Sequence, residues 1–152
     1  MPYCYAHFIT EGIGMKKSIN IYKQEFRPNN LLKKPKVNVC IWALTSNDDE
    51  SAKLLYSSRA CWKIERSFSK LGTLKEPREA LNNIISNNWK KEFDLMFNNS
   101  FVGSKQKVKG KLVKLKNEID FDELTLLTWC YDEGERRNSY KLFQKCLINI
   151  EE

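Results

Sequence analysis

The chain of 152 residues has one histidine, six glycines and four prolines. A lone histidine, with no Cys-x-x-Cys pair among the five cysteines, leaves no sequence pattern for a zinc site, and no metal is expected. The cysteines, Cys4, Cys40, Cys61, Cys130 and Cys146, are odd in number and sit mostly in apolar runs. They read as reduced, buried thiols rather than a disulfide framework, which points to the cytoplasm. Long hydrophobic runs are missing too. The longest, residues 39–44, is far too short to span a bilayer, and no small-residue cleavage site follows the opening apolar stretch, so neither membrane span nor signal peptide is expected. The glycine spacing of a P-loop or dinucleotide fingerprint is absent, as are internal repeats and low-complexity linkers.

What is present suits one soluble globular domain over residues 1–152: 41% of residues are hydrophobic and 12% aromatic. A domain of this size buries about 70% of its unfolded surface, without a staple. Basic residues outnumber acidic ones 26 to 19, giving a net charge of +7. The lysines are dispersed and no aromatic platform interleaves with them, so nucleic acid is the minor reading and a solvated lysine bias the major one.

Residues 2–9, Pro-Tyr-Cys-Tyr-Ala-His-Phe-Ile, read as a buried strand, with Gly12 and Gly14 marking a loop behind it. Ile19, Tyr22 and Phe26 share a helical face over residues 15–26. Residues 37–44 form a β-branched, two-sided apolar strand of the kind found in a parallel sheet covered on both faces. A capping box at residues 47–50 opens a helix on which Leu54, Cys61 and Phe68, and beside them Leu55 and Trp62, form a stripe. Residues 71–100 read as a helical insertion, with Pro77 in a first helical turn and a short helix over 89–97. Ser104 caps a helix carrying Val108, Leu112, Leu115 and Ile119, and its other face is nearly all lysine. A third strand over 122–130 and a last helix over 135–150, with Tyr140, Phe143 and Leu147 inward, complete the chain. Strands separated by helices are parallel, so the class is α/β with about three parallel strands. The first strand opens at residue one with nothing to cover its outer edge, which predicts further strands upstream.

His7 ends the first strand, where α/β proteins place functional groups, although a structural histidine is the commoner case. Gly103 and Ser104, followed by Lys105, Lys107, Lys109 and Lys111, suit a plain helix cap or a phosphate at a helix N-terminus. Asp122 and Glu123 lie at the N-terminal end of their strand and are not expected to act as an acid/base pair. Trp129, Tyr131 and Asp132 end that strand on the opposite side and are expected to line a substrate pocket, against core packing and capping as the alternative. Arg136 and Arg137 can reach an anion or pair with Asp132. No residue is singled out as catalytic.

Several stretches, in order along nearly the whole chain, resemble the C-terminal half of the bacterial luciferase-like, FMN-dependent monooxygenases. Met1-Pro2-Tyr3-Cys4-Tyr5-Ala6-His7-Phe8 is similar to the family's Leu-Pro-Tyr-x-Phe-Ala-x-His-Phe strand, one residue shorter. Tyr22 with Phe26-Arg27-Pro28 resembles its Tyr-x-x-x-Phe-Arg-Pro helix end. Phe101-Val102-Gly103-Ser104 resembles its Val-Gly-Ser-Pro helix start, with Lys105 in place of proline, and Leu71-Gly72-Thr73-Leu74 its Gly-Pro-Leu loop without the proline. Asp122-Glu123-Leu124, then Tyr131-Asp132, Arg136 or Arg137, and Ser139-Tyr140, resemble its last strand and last helix.

The resemblance implies the C-terminal part of a (β/α)₈ TIM barrel, which needs roughly 250 residues and eight strands. It implies insertion of oxygen from O₂ into an organic substrate with reduced FMN, the cofactor carrying the oxygen chemistry. Tyr5, Ala6 and His7 would face the flavin, while the family's serine- and alanine-rich phosphate segment lies upstream of this sequence. The chain is therefore expected to be inactive alone, completed by an upstream-encoded N-terminal barrel half or by a homo-oligomer. The alternative is a non-catalytic interaction protein or gene remnant associating through its open barrel edge.

Overall fold

A computed structural model describes residues 1–70 and 72–147. Leu71 and residues 148–150, which the sequence reading placed in the insertion and the last helix, lie outside the described residues. The order is β1 (Tyr3–Ala6), α1 (His7–Thr10), α2 (Met15–Glu25), β2 (Val37–Ser46), α3 (Asp49–Ser67), α4 (Pro77–Ser86), α5 (Lys90–Asn99), β3 (Phe101–Ser104), α6 (Lys105–Glu118), β4 (Glu123–Leu127) and α7 (Glu133–Leu147).

β2 is the hub of the parallel sheet. β1 pairs with it from Tyr3 opposite Val37 to Ala6 opposite Cys40, and β4 from Glu123 opposite Asn38 to Leu127 opposite Trp42. Both neighbours share residues 38–40, so they flank β2 on opposite edges. β3 pairs farther along, from Ala43 opposite Phe101 to Ser46 opposite Ser104.

Residues in register across parallel strands share a face. On one face lie Tyr5, Val39 and Leu124, then Ile41 and Leu126. The helices α2, α6 and α7 back this face with Met15, Ile19, Val108, Leu112, Leu115, Phe143 and Cys146 in one core. Each such aliphatic side chain contributes about 1.5–3 kcal/mol by leaving water. On the other face lie Cys4, Asn38 and Glu123, then Ala6, Cys40 and Thr125. Its C-terminal end, with Trp42 and Leu44, joins a second core under α3, α4 and α5, built on Tyr56, Cys61, Ile84, Phe93 and Phe97. Its N-terminal end is open: Cys4, Glu123 and Thr125 are exposed and Asn38 and Cys40 half-buried. Asn38 ties this polar row together, donating to Thr125 Oγ1 at 2.9 Å and Glu123 Oε2 at 3.2 Å and accepting from Cys4 Sγ at 3.4 Å.

The structure corrects the sequence reading in several places. β2 is not covered along both faces, and Cys4 is exposed rather than a buried thiol. The first strand stops at Ala6, because His7–Thr10 winds into a helical turn closed by Glu11 at φ 55° and Gly12 at φ 84°. β3 is a separate four-residue strand ahead of the Ser104 cap. β4 stops at Leu127 because side chains replace the ladder beyond Trp42: Thr128 Oγ1 donates to Ala43 O at 2.8 Å, and Thr45 N donates to Ser139 Oγ at 2.9 Å. The α3 cap is Asp48, which accepts from Ser51 N at 2.7 Å and Ser51 Oγ at 2.9 Å, rather than an Asn47–Glu50 box. On α3 the buried side runs through Ala52, Tyr56, Ala60, Cys61 and Ile64, while Phe68 is exposed; on α7 it runs through Ser139, Phe143 and Cys146, while Tyr140 and Leu147 are exposed. The inward faces mix small residues, Ala52, Ala60 and Ser139, with Tyr56 and Phe143, so hydrophobic size alone does not mark them.

Candidate functional site

The expected flavin-facing residues of β1 divide between the two faces. Ala6 shares the open face with Cys40 and Thr125. Tyr5 is in the helix-backed core, where its hydroxyl donates to Ile13 O at 2.7 Å and bonds Thr10 Oγ1. His7 starts α1, buried, with its ring edge-on to Phe101 at 5.2 Å between centroids. Gly12 is packed so tightly over it that a Cβ there would lie 2.8 Å from His7 Nε2. At φ 84° this position also favours glycine on backbone grounds.

His7 opens on a cleft of about 350 Å³ lined by Glu11, Asn98, Lys111, Lys114 and Glu118 among others. Burial holds the imidazole below its ordinary pKa against the opposing pull of Glu11, with Lys111 and Lys63 adding to the fall. His7 is therefore neutral at pH 7. Lys111 is itself pushed down to about 8, by burial first and by Lys107 second. Its ammonium is committed to Asn98 O at 2.9 Å and to Ser100 O, carbonyls at the end of α5. A larger cleft, about 470 Å³, lies at the other end of β4 against Leu112, Ile119 and Phe121. In α/β folds ligands gather at the strands' C-terminal ends, which favours the His7 end.

The second expected group does not converge on His7. Trp129 packs edge-on against Trp62 of α3 at 5.0 Å, and Arg66 stacks on Trp62 at 4.9 Å. Tyr131 is exposed, and Asp132 caps α7, accepting from Glu135 N at 2.8 Å. Arg137 and Arg136 pair with Glu133, at 2.6 Å and 3.9 Å, instead of with Asp132.

The phosphate alternative at the start of α6 is closed from within. Asp49 Oδ1 accepts from Ser104 N at 2.6 Å, and Lys107 stands 3.6 Å from its other oxygen. The Ser104 amide bond is the main cause that holds the Asp49 carboxyl below the usual range. Gly103 makes room for this, since a Cβ there would meet Asp49 Oδ1 at 2.9 Å. Ser104 also caps the helix, accepting from Lys107 N at 3.4 Å.

The residues that the sequence reading passed over are charged groups between α1 and α3. Glu11 pairs with Lys63 at 2.7 Å, and Lys63 also donates to Phe8 O at 3.4 Å. One turn earlier on α3 Arg59 is only 5% exposed, its guanidinium 4.4 Å above the Trp42 ring. Trp42 packs on Tyr56 at 5.1 Å, and Tyr56 meets Ser100 Oγ at 3.3 Å. The available signal was an arginine three residues after Tyr56, in step with a stripe of Ala52, Tyr56 and Ala60.

No protein-family model matches the sequence. A luciferase-like monooxygenase of Escherichia coli is 26% identical over 148 residues, which cover 93% of this chain and 42% of that protein. The uncharacterized protein YwcH of Bacillus subtilis is 25% identical over 151 residues, covering 97% and 44%. Among solved structures, apo-MsnO8 superposes with a TM-score of 0.83 at 21% identity over 97% of this chain and 45% of that one. Monooxygenase RslO1 from Streptomyces bottropensis gives a TM-score of 0.56 at 12% identity, over 97% and 41%. The chain thus spans less than half the length of the relatives it matches, and its open sheet is the corresponding part of their barrel. In sequence it resembles the luciferase-like monooxygenases, about half of such a protein.

Proposed function

We propose that the chain is the C-terminal part of a flavin-dependent monooxygenase barrel of the luciferase-like kind, inserting oxygen from O₂ into an organic substrate once the barrel is complete. The observation that carries this reading is the alignment of 93% of the chain with under half of a luciferase-like monooxygenase. The open face supports it: Cys4, Asn38, Cys40 and Thr125 form a polar row on a parallel sheet, a surface that such sheets keep covered. A barrel's remaining strands would cover it and pair with the free edges of β1 and β4.

The residues present suit the ring side of FMN better than its phosphate. Ala6 and Cys40 are small side chains in register on the open face, whereas the one helix start expected to bind phosphate is filled by Asp49. FMN would supply the redox chemistry, and the remainder of the barrel its phosphate site. This chain's part is to form one wall and keep water out with Trp42, Leu127 and the α3–α5 layer. Among the described residues no helix is long and apolar enough to cross a membrane. We place the protein in the cytoplasm, without affinity for nucleic acid.

FMN titration by fluorescence quenching tests the reading, with this chain alone and with a polypeptide matching the rest of the relatives' length. Saturable quenching only with both pieces is expected. Tight binding by this chain alone would refute the need for completion. No binding in either case would refute the flavin reading and favour a non-catalytic partner of the open face.

A further inference from the structure

The Glu11, Arg59 and Lys63 cluster carries more positive than negative charge. Glu11 is paired with Lys63, His7 is neutral at pH 7, and Lys111 is bound to carbonyls. Among the described residues no carboxylate lies within ion-pair distance of Arg59; interactions with Tyr56, a side-chain hydrogen bond among them, and with Glu11 only partly offset the burial that lowers its pKa. Arg59 Nη1 is buried without a hydrogen-bond partner, and so is Trp42 Nε1. The guanidinium carbon lies 4.4 Å from the centroid of the Trp42 ring, so the two groups that carry these donors are neighbours. The hydroxyls of Ser58 and Thr45 are also buried and unpartnered. Folded proteins satisfy nearly all buried polar groups, and a buried charge calls for a counter-charge. Trp42 stands at the C-terminal end of the open face, beside Leu127.

We propose that Arg59 and Trp42 form an oxyanion subsite at this end of the sheet, receiving the carboxylate or phosphate group of an organic ligand. Arg59 Nη1 offers a charged donor to one oxygen of an oxyanion, and the indole N–H adds a neutral donor. The subsite does not rest on the flavin reading, because Arg59 Nη1 and Trp42 Nε1 find no partner in the chain's own fold.

The test is titration of the chain with acetate, with inorganic phosphate and with chloride at matched ionic strength, read by thermal melting and tryptophan fluorescence. Acetate or phosphate is expected to give a saturable rise in Tm beyond that of chloride, and the one that saturates at the lower concentration identifies the group. Arg59→Met is expected to weaken binding by about tenfold or more, and Trp42→Phe, which keeps the ring and loses the N–H, by a few-fold. Without anion, Arg59→Met is expected to melt no lower than wild type, since it removes an uncompensated charge. A chloride-like response to both oxyanions, an unchanged titration in Arg59→Met, or a much lower Tm of that variant without anion would each overturn the subsite, the last by assigning Arg59 to packing alone.

Discussion

The same three strands carry two unlike faces. Val37, Val39 and Ile41 are completely buried under α2, α6 and α7, which the chain itself supplies. One residue out of step, Asn38 and Cys40 are half-buried, and their neighbours Cys4, Glu123 and Thr125 are exposed. The polar groups there satisfy one another through Asn38. The first face is closed by this sequence, and the second stays open at its N-terminal end, as the proposed completion of a barrel requires. The C-terminal end of the second face is the exception, where Trp42 and Leu44 are roofed by α3–α5 and charged groups are drawn under the roof.

The widest gap between the faces will show in substitutions one residue apart in facing. Val39→Asp places a carboxylate in the helix-backed core and should cost more than about 4 kcal/mol, enough to prevent folding. Thr125→Val on the open face removes one exposed hydrogen bond and should change stability by less than about 1 kcal/mol in urea unfolding. Equal costs would mean the faces are not distinct.

Ser139→Ala probes the joint between β2 and α7. It leaves the buried Thr45 amide without an acceptor and should cost about 1–3 kcal/mol by thermal or chemical melting. A cost near zero would show that another acceptor reaches that amide.

The smallest effect is a pH slope. Burial keeps His7 below its reference value of 6.5, so as pH falls below 6.5 the unfolded chain takes up a proton that the folded chain refuses. Stability contributed by the neutral ring is present above 6.5 and is lost as pH falls toward the lowered folded value. His7→Gln should flatten this part of the stability profile, and because His7 is the only histidine the difference between the two curves isolates it.

Much of this architecture was legible in the sequence. The β-branched run at residues 37–44, Pro77 at a helix start and the Ser104 cap all mark elements that form for the expected local reasons. Parallel pairing followed from alternation of strands and helices. The end of β1 was not legible, because His7, Phe8 and Ile9 continue an apolar run that periodicity alone cannot divide between strand and helical turn. β3 has too few residues to leave a period. Which face of β2 would be open could not be read from a two-sided apolar strand, since facing depends on which helices return to it. The candidate site was half legible: His7 was marked by its strand end, but Arg59 hid in a helix stripe where charge is normally excluded, and its burial emerges only when α3 packs on Trp42.

Thiol labelling of Cys4 and Cys40, with Cys61 and Cys146 as buried internal standards, tests most directly whether the open face is an unfinished barrel wall. In the chain alone, Cys4 should react rapidly and Cys40 more slowly, as burial raises its thiol pKa, while Cys61 and Cys146 stay unreacted. Adding a polypeptide matching the rest of the relatives' length should protect Cys4 and Cys40 together. Rapid labelling of Cys4 that persists in a mixture that binds FMN would contradict it, because the barrel would then be complete without covering this face.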